Sequence, residues 1–162
     1  MPTIRRIDRD FGRWQALLAL ILDAFAYMAA RIDPPSSALR LTADAIAEEV
    51  ERGIVFVAEA DGELVGSLFC QGQGDALYLG KLAVRPDRQG QGIGRSLVRA
   101  AEAEARRRGL AALELQTRIE LTENHAAFAA MGFVKTGESA HPGYDRPTSI
   151  TMRRAISGAR AA

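Results

Sequence analysis

One glycine-rich run constrains the fold of this chain more than any other feature: Gln89-Gly90-Gln91-Gly92-Ile93-Gly94. It follows an apolar segment that ends near Val84 and precedes a stretch with helical periodicity, so it joins a strand to a helix. Alternating glycines let successive backbone N–H groups converge on one anion, and the start of a helix adds unpaired donors and partial positive charge. The run therefore predicts a strand–turn–helix unit that binds phosphate. A plain tight turn is the simpler alternative.

Two nucleotide-binding motifs share part of this pattern. A P-loop ends in Gly-Lys-Ser/Thr, whereas Gly94 is followed here by Arg95 and Ser96. A dinucleotide-binding turn needs a third glycine at the place that Arg95 occupies. Glu114 lies 20 residues beyond Gly94, where the ribose-binding acid of that motif would lie, but the strand ends too early for the motif. A nucleotide-dependent enzyme therefore stays open as the weaker alternative.

Turn signals divide the rest of the chain into short elements. Strands are expected at residues 3–7, 54–60, 64–70, 76–84, 110–116, 133–137 and 149–154, and helices at residues 11–30, 43–52, 93–108 and 123–131. Thr42 is a predicted N-cap, Asp61-Gly62 a predicted hairpin turn, and Gly80 a predicted bulge. This order predicts an α/β domain of the α+β type with three layers. Its centre is a mixed, mostly antiparallel sheet of six to seven strands, with helices on both faces.

Length and composition exclude several classes of protein. The 162 residues predict one domain over residues 1–156 and a flexible tail over residues 157–162. Lys and Arg total 21 against 20 for Asp and Glu, which gives no electrostatic case for binding nucleic acid. Cys70 and two histidines cannot form an ordinary zinc site, so no metal is expected. The apolar stretches are too short to span a bilayer, and we expect a cytoplasmic protein without a membrane partner.

The glycine run and the strand that precedes it resemble a motif of a known family. Residues 82–94, with Leu82-Ala83-Val84 and Pro86 leading into the glycine run, resemble the acetyl-CoA signature of the GNAT superfamily of N-acetyltransferases. The core of that signature, Gln/Arg-x-x-Gly-x-Gly/Ala, is matched by Gln89, Gly92 and Gly94. Asn124, Phe128 and Gly132-Phe133 resemble the second motif of the family more loosely. The order of elements agrees over residues 3–154, which implies the GNAT fold.

The resemblance implies that acetyl-CoA is the cosubstrate. Pantetheine would run beside the end of the residue 76–84 strand like an added strand, and the pyrophosphate would rest on the glycine turn. The thioester would lie where strands ending near Val84 and Gln116 splay apart. The residues implied for cofactor binding are Leu82, Ala83, Val84, Arg88, Gln89, Gly90, Gln91, Gly92, Ile93, Gly94, Arg95, Asn124 and Phe128. Many relatives are dimers, so a homodimer through the first helix and final strands is expected.

Acetyl transfer to an amine needs a base, a donor for the oxyanion and an acid for the leaving thiolate. The resemblance implies that the backbone N–H of Leu82 is the oxyanion donor. It also places Phe128 where many relatives carry a tyrosine acid, and phenylalanine cannot donate a proton. Packing against the cofactor or the core is the expected role of Phe128. Glu123 and Asn124 are expected to cap the short helix rather than to catalyse.

Substitutes for the missing acid come from two places. Tyr144 and His141 belong to a polar loop over residues 139–147, and they are candidates for acid and base. Tyr78 and Glu114 lie on strands that should border the gap. Structural roles are the alternatives for these residues. Glu114 would then be a solvent-exposed strand residue, and the loop would be an ordinary surface turn.

The sequence thus predicts an enzyme that moves an acetyl group from acetyl-CoA directly to a primary amine of a small molecule or peptide. A catalytically silent module that senses acyl-CoA is the alternative, and Phe128 is its best support. Polyamine and aminoglycoside enzymes would be expected to cluster many carboxylates, and the charge balance shows no such excess. The pattern does not identify the acceptor.

Overall fold

Seven strands form one sheet in residues 2–156, the part of the chain that this computed structural model describes. They are β1 (Thr3–Ile7), β2 (Ile54–Ala60), β3 (Glu63–Gln73), β4 (Ala76–Val84), β5 (Ala112–Arg118), β6 (Val134–Ser139) and β7 (Ser149–Ala155). Their order in the sheet is β1-β2-β3-β4-β5-β7-β6, and only β4 and β5 pair in parallel. The predicted fold class is confirmed. The predicted tail, residues 157–162, lies outside the described residues.

Helices cover both faces of the sheet. They are α1 (Trp14–Phe25), α2 (Ala43–Arg52), α3 (Ile93–Arg107) and α4 (Thr122–Ala130). Leu17 and Ile46 pack α1 and α2 against one face, while Leu97 and Phe128 pack α3 and α4 against the other. Within residues 2–156, none of the helices has the length and apolar character needed to cross a membrane.

The first helix is shorter than the predicted span of residues 11–30. Gly12 has a φ of +75°, which a helix cannot contain, and α1 begins only at Trp14. After Phe25 the chain tightens into a 3-10 turn over Ala26–Met28. Apolar residues continue through this turn, and three residues are too few to show a repeat of their own, so the periodicity did not reveal where α1 ends. The second helix agrees with its prediction, and the Thr42 hydroxyl accepts a hydrogen bond from the Ala45 N–H at 3.1 Å.

Gly66 on β3 lies where the sheet and α3 pack closely against each other. A Cβ atom there would lie 2.9 Å from Ile93 Cγ2, 3.0 Å from Leu97 Cδ1 and 3.2 Å from the Ala83 carbonyl oxygen. The first two atoms belong to side chains, but the third is backbone of β4. This contact fixes the distance between the sheet and the first turns of α3, the helix that follows the glycine run.

We expect Gly66→Ala to lower the free energy of unfolding by about 1–3 kcal/mol, since overpacking displaces both α3 and β4. Gly72→Ala is the matched control, because it lies on the same strand and its added Cβ would meet no atom within 4 Å. Urea denaturation of both variants measures the difference. Equal stability of the two would contradict the close packing at Gly66.

Candidate active site

A cleft of about 1060 Å³ opens where β4 and β5 separate. The two strands pair only from Ala76 to Leu79 on β4 and from Ala112 to Leu115 on β5. Beyond these residues the strands diverge, and residues 80–84 and 116–118 line the cleft. A strand edge that has lost its neighbour can bond an extended ligand through backbone groups.

A bulge in β4 borders this cleft. Its register with β3 shifts between Ser67 and Phe69, and Lys81 has a φ of +48°, which is unusual for a residue other than glycine. The predicted bulge is therefore present, one residue beyond Gly80. Such a bulge bends the strand and redirects the backbone groups that follow it, here those of Leu82.

Three contacts hold the bulge in place. The hydroxyl of Ser67, which is 0% exposed, donates to the Lys81 carbonyl oxygen at 3.2 Å. Lys81 Nζ donates to the Glu49 carboxylate of α2 at 2.9 Å and lies 5.2 Å from the ring centre of Phe69. Ser67 and Glu49 were not singled out from the sequence, because they contact Lys81 only after β3, β4 and α2 have packed together.

The glycine turn has the open conformation that an anion site needs. Gly90 and Gly92 have φ values of +80° and +82°, and a Cβ on either would meet no protein atom within 4 Å. Gly92 is the N-cap of α3 and provides no side-chain cap. Gln89 Nε2 donates to the Val84 carbonyl oxygen at 3.4 Å and so ties the turn to the end of β4. Ile93 is buried in the core, so only its backbone can serve a ligand.

The other polar residues near the turn differ in their contacts. Arg88 lies 3.8 Å from the Asp61 carboxylate, whereas Gln91 and Arg95 are exposed to solvent. Asn124 and Phe128, from α4, line the cleft beyond β4. The residues implied for cofactor binding therefore lie along one path, from the end of β4 to the first turn of α3, with α4 beside it.

Tyr78 lies at the point where β4 and β5 separate, and it lines the cleft. Burial raises the pKa of its phenol, and a hydrogen bond from the Gln116 backbone offsets part of that rise. A phenol with a raised pKa keeps its proton at neutral pH and can donate it. Glu114 is the register partner of Tyr78, but it is absent from the cleft lining, and its carboxylate accepts from Arg153 at 3.3 Å.

Tyr144 lines the cleft and connects two of the loops that border it. Its hydroxyl donates to Asp33 Oδ1 at 2.6 Å, and Arg146 donates to Asp33 Oδ2 at 3.3 Å. The Asp33 carboxylate raises the pKa of Tyr144 through this hydrogen bond. We call these three residues the loop tether, because they join the loop after α1 to the loop before β7. Asp33 lies in the run Asp33-Pro34-Pro35-Ser36-Ser37, a composition that indicates a loop and gives no sign of this contact.

His141 also lines the cleft, and its neighbours select one tautomer. Thr148 Oγ1 donates to the Ser139 carbonyl oxygen at 3.4 Å, and it accepts from the His141 backbone N–H at 2.9 Å. Its remaining lone pair accepts from Nδ1, which leaves Nε2 as the nitrogen able to take up a proton. Burial, followed by the charge of Arg118, lowers the pKa of His141, so the ring is neutral near pH 7.

The residues at the start of α4 do not have the helix-capping roles that the sequence predicts. Neither Glu123 nor Asn124 caps the helix, because both lie within its first turn and the N-cap is Leu121. The Glu123 carboxylate pairs with Arg31 at 2.8 Å, and Asn124 Nδ2 donates to the hydroxyl of Tyr27 at 3.3 Å. These contacts connect α4 to the segment after α1.

Phe128 contacts both the hydrophobic core and the cleft. Its ring packs edge-to-face on Phe133 with centres 5.7 Å apart, and it also lines the cleft. The residue is therefore a wall of the cleft that is supported from behind by the core.

The chain matches the acetyltransferase (GNAT) family over residues 14–133. It is 34% identical over 147 residues to aminoglycoside N(6')-acetyltransferase type 1 of Stenotrophomonas maltophilia, covering 83% of this chain and 88% of that relative. The structure resembles the ribosomal-protein-S18-alanine N-acetyltransferase of Escherichia coli, with a TM-score of 0.72, 25% identity and coverage of 99% and 97%. It also resembles PaiA N-acetyltransferase of Thermoplasma acidophilum in complex with coenzyme A, with a TM-score of 0.77, 15% identity and coverage of 96% and 99%.

Proposed function

The chain belongs to the GNAT family of acetyltransferases, and we propose that it transfers the acetyl group of acetyl-CoA directly to a primary amine of a small molecule or peptide. The observation that carries this proposal is the cleft between β4 and β5, with the glycine turn at one end and Tyr78 within it. The relatives named above support both kinds of acceptor, an aminoglycoside and a ribosomal-protein alanine.

The residues along the cleft fit acetyl-CoA. The open space above Gly90 and Gly92, beside the uncapped start of α3, accommodates a pyrophosphate on backbone N–H donors. The end of β4, from Leu82 to Val84, has no strand paired on its β5 side and suits an extended pantetheine. Acetyl-CoA supplies the activated acyl group as a thioester.

Three groups of the chain divide the catalytic work in this proposal. The backbone N–H of Leu82, next to the bulge, donates to the acyl oxygen as negative charge develops there. Tyr78 holds a proton on its phenol oxygen for the leaving sulfur. His141, neutral near pH 7, removes a proton from the attacking amine at Nε2. Glu114 has no part in this scheme, because its carboxylate is paired with Arg153 away from the cleft.

We expect Ser67→Ala to lower kcat by roughly tenfold, because small misplacements of a catalytic donor are costly. Without the Ser67 hydroxyl, the Lys81 carbonyl loses a donor and the bulge that positions Leu82 loosens. Steady-state kinetics at saturating acetyl-CoA measure this effect, and coenzyme A affinity should stay near wild type. Ser67→Thr, which restores a hydroxyl, should recover part of the rate. A loss of stability with unchanged kcat would reduce Ser67 to a structural role.

Thiol release from acetyl-CoA, measured with a panel of primary amines, tests the proposed function. Release that depends on an added amine, together with mass detection of the N-acetylated amine, supports it. Coenzyme A binding without turnover on any amine would favour the acyl-CoA sensor instead. The presence of Tyr78 in the cleft favours an enzyme over a sensor, because its hydroxyl can replace the one that is missing at Phe128.

Homodimerisation and a cytoplasmic location remain predictions. The exposed Val134 on the edge strand β6 and the partly exposed Leu22 on α1 are apolar residues on the elements expected to form the shared surface.

A further inference from the structure

We propose that the acceptor molecule carries a carboxylate in addition to its reacting amine, and that Arg118 binds this carboxylate. The inference deepens the proposed function and rests on it. It assigns Arg118 as a residue that determines acceptor specificity.

The charges that line the cleft are predominantly positive. The charged side chains there are Arg31, Arg40, Lys81, Arg118 and Glu123. The only carboxylate among these lining residues, Glu123, is paired with Arg31, and Lys81 is paired with Glu49 on α2. Arg118 and Arg40 remain without a carboxylate within 4 Å among the residues that the structure describes. The cleft therefore presents cationic groups whose charge no contacting anion neutralises.

Arg118 is held in place but is not neutralised. Its Nη1 donates to the Pro34 carbonyl oxygen at 2.7 Å, and its Nη2 donates to the Pro35 carbonyl oxygen at 3.1 Å. These neutral acceptors fix the guanidinium plane and leave other N–H groups available for a ligand. The side chain is half-buried. A positioned, partly desolvated guanidinium is well suited to bind a carboxylate through two parallel hydrogen bonds.

Two carboxylates lie near Arg118, and neither accepts a hydrogen bond from it or lies within 4 Å of its nitrogens among the described residues. Asp33 accepts from Tyr144 and Arg146 in the loop tether. Glu120 Oε2 accepts from the Asp33 backbone N–H at 3.1 Å, and its buried Oε1 has no hydrogen-bond partner among the described residues. Both acids act on Arg118 through space only. They moderate the positive field of Arg118 without taking its hydrogen-bonding positions.

The position of Arg118 on β5 suits a group distant from the reacting nitrogen. Arg118 follows Gln116 by two residues, so both lie on the same face of β5, with Cα atoms about 7 Å apart. The backbone of Gln116 forms a hydrogen bond with the Tyr78 hydroxyl. An acceptor can therefore place its amine beside Tyr78 while its carboxylate reaches Arg118. A polycation such as an aminoglycoside would instead bring several like charges to this lining.

Matched acceptor pairs test this assignment. Thiol release is measured at saturating acetyl-CoA with the proteinogenic amino acids, β-alanine and 4-aminobutyrate, each compared with its amide, and with kanamycin and spermidine as polycations. We expect kcat/KM for the best acid to exceed that for its amide by at least about tenfold, as for loss of a charge-assisted hydrogen bond. Equal or faster turnover of the amides, or a preference for either polycation, would overturn the assignment.

Variants separate recognition from loop structure. Arg118→Gln should reduce the acid-to-amide ratio towards one, and Arg118→Lys should retain part of it. Because each variant is assayed on the same pairs, intrinsic differences in amine basicity cancel. Arg146→Gln is the control, since it weakens the loop tether without removing a charge from the cleft lining, and it should keep the ratio. An unchanged ratio in Arg118→Gln would assign Arg118 a structural role only.

A binding measurement keeps this test independent of turnover. Calorimetry with N-acetylglycine and N-acetylglycinamide, in the presence of coenzyme A, should show tighter binding of the acid to the wild type and no such preference in Arg118→Gln. If no amine releases thiol but the acid is preferred, the proposed transfer fails and the carboxylate site stands. If amines react but acid and amide bind alike, the carboxylate site fails and the transfer stands.

Discussion

Gly92→Ala is expected to weaken coenzyme A binding by about 100-fold or more, since charge-assisted contacts to phosphate are worth roughly 1.5–3 kcal/mol each. Gly92 caps α3 with a φ of +82°, and the space above it holds no protein atom within 4 Å. An added Cβ would occupy that space and press the backbone out of the conformation that presents its N–H groups. Isothermal calorimetry with coenzyme A measures the loss.

The control for this variant lies at the other end of the same helix. Gly109 follows α3 with a φ of +71°, and a Cβ there would also meet no atom within 4 Å. Gly109→Ala should therefore cost a similar backbone strain of about 1–2 kcal/mol in unfolding free energy. It should leave coenzyme A affinity unchanged. Equal coenzyme A affinities of the two variants would show that the glycine turn does not bind coenzyme A.

Tyr78→Phe is expected to lower kcat by about 100-fold, the lower end of what a general acid contributes. Burial raises the pKa of Tyr78, so the phenol stays protonated and kcat should not fall between about pH 7 and pH 9 through loss of this acid. The measurement is a pH profile of kcat at saturating acetyl-CoA, with coenzyme A affinity as the test of folding.

Tyr144→Phe serves as the comparison. The sequence names Tyr144, in the polar loop that follows Phe128, as another candidate for the missing acid. In the structure its hydroxyl donates to Asp33, so the variant should loosen the loop tether and raise the acceptor KM more than it lowers kcat. A large fall in kcat for Tyr144→Phe, with Tyr78→Phe near wild type, would indicate that Tyr144 in the loop, and not Tyr78, is the general acid.

The strand, turn and helix predictions succeeded where local chemistry alone decides the backbone. Asp61 and Gly62 form the expected turn because both adopt positive φ values, and Thr42 caps α2 because its hydroxyl reaches the Ala45 N–H. The capping prediction for Asn124 was wrong. Its amide donates instead to Tyr27, 97 residues away in sequence, and local sequence contains no signal for such a partner.

The sequence by itself determined the order of elements, the mixed sheet and the glycine turn, since these depend on side-chain periodicity and on the backbone freedom of glycine. Only the tertiary structure decided which groups face the cleft. Glu114 and Arg118 share one face of β5 by strand alternation, yet Glu114 pairs with Arg153 beside the joined strands, and Arg118 lies where β5 has left β4. The difference arises because the separation of the strands depends on packing between distant segments, which the period of a strand does not encode.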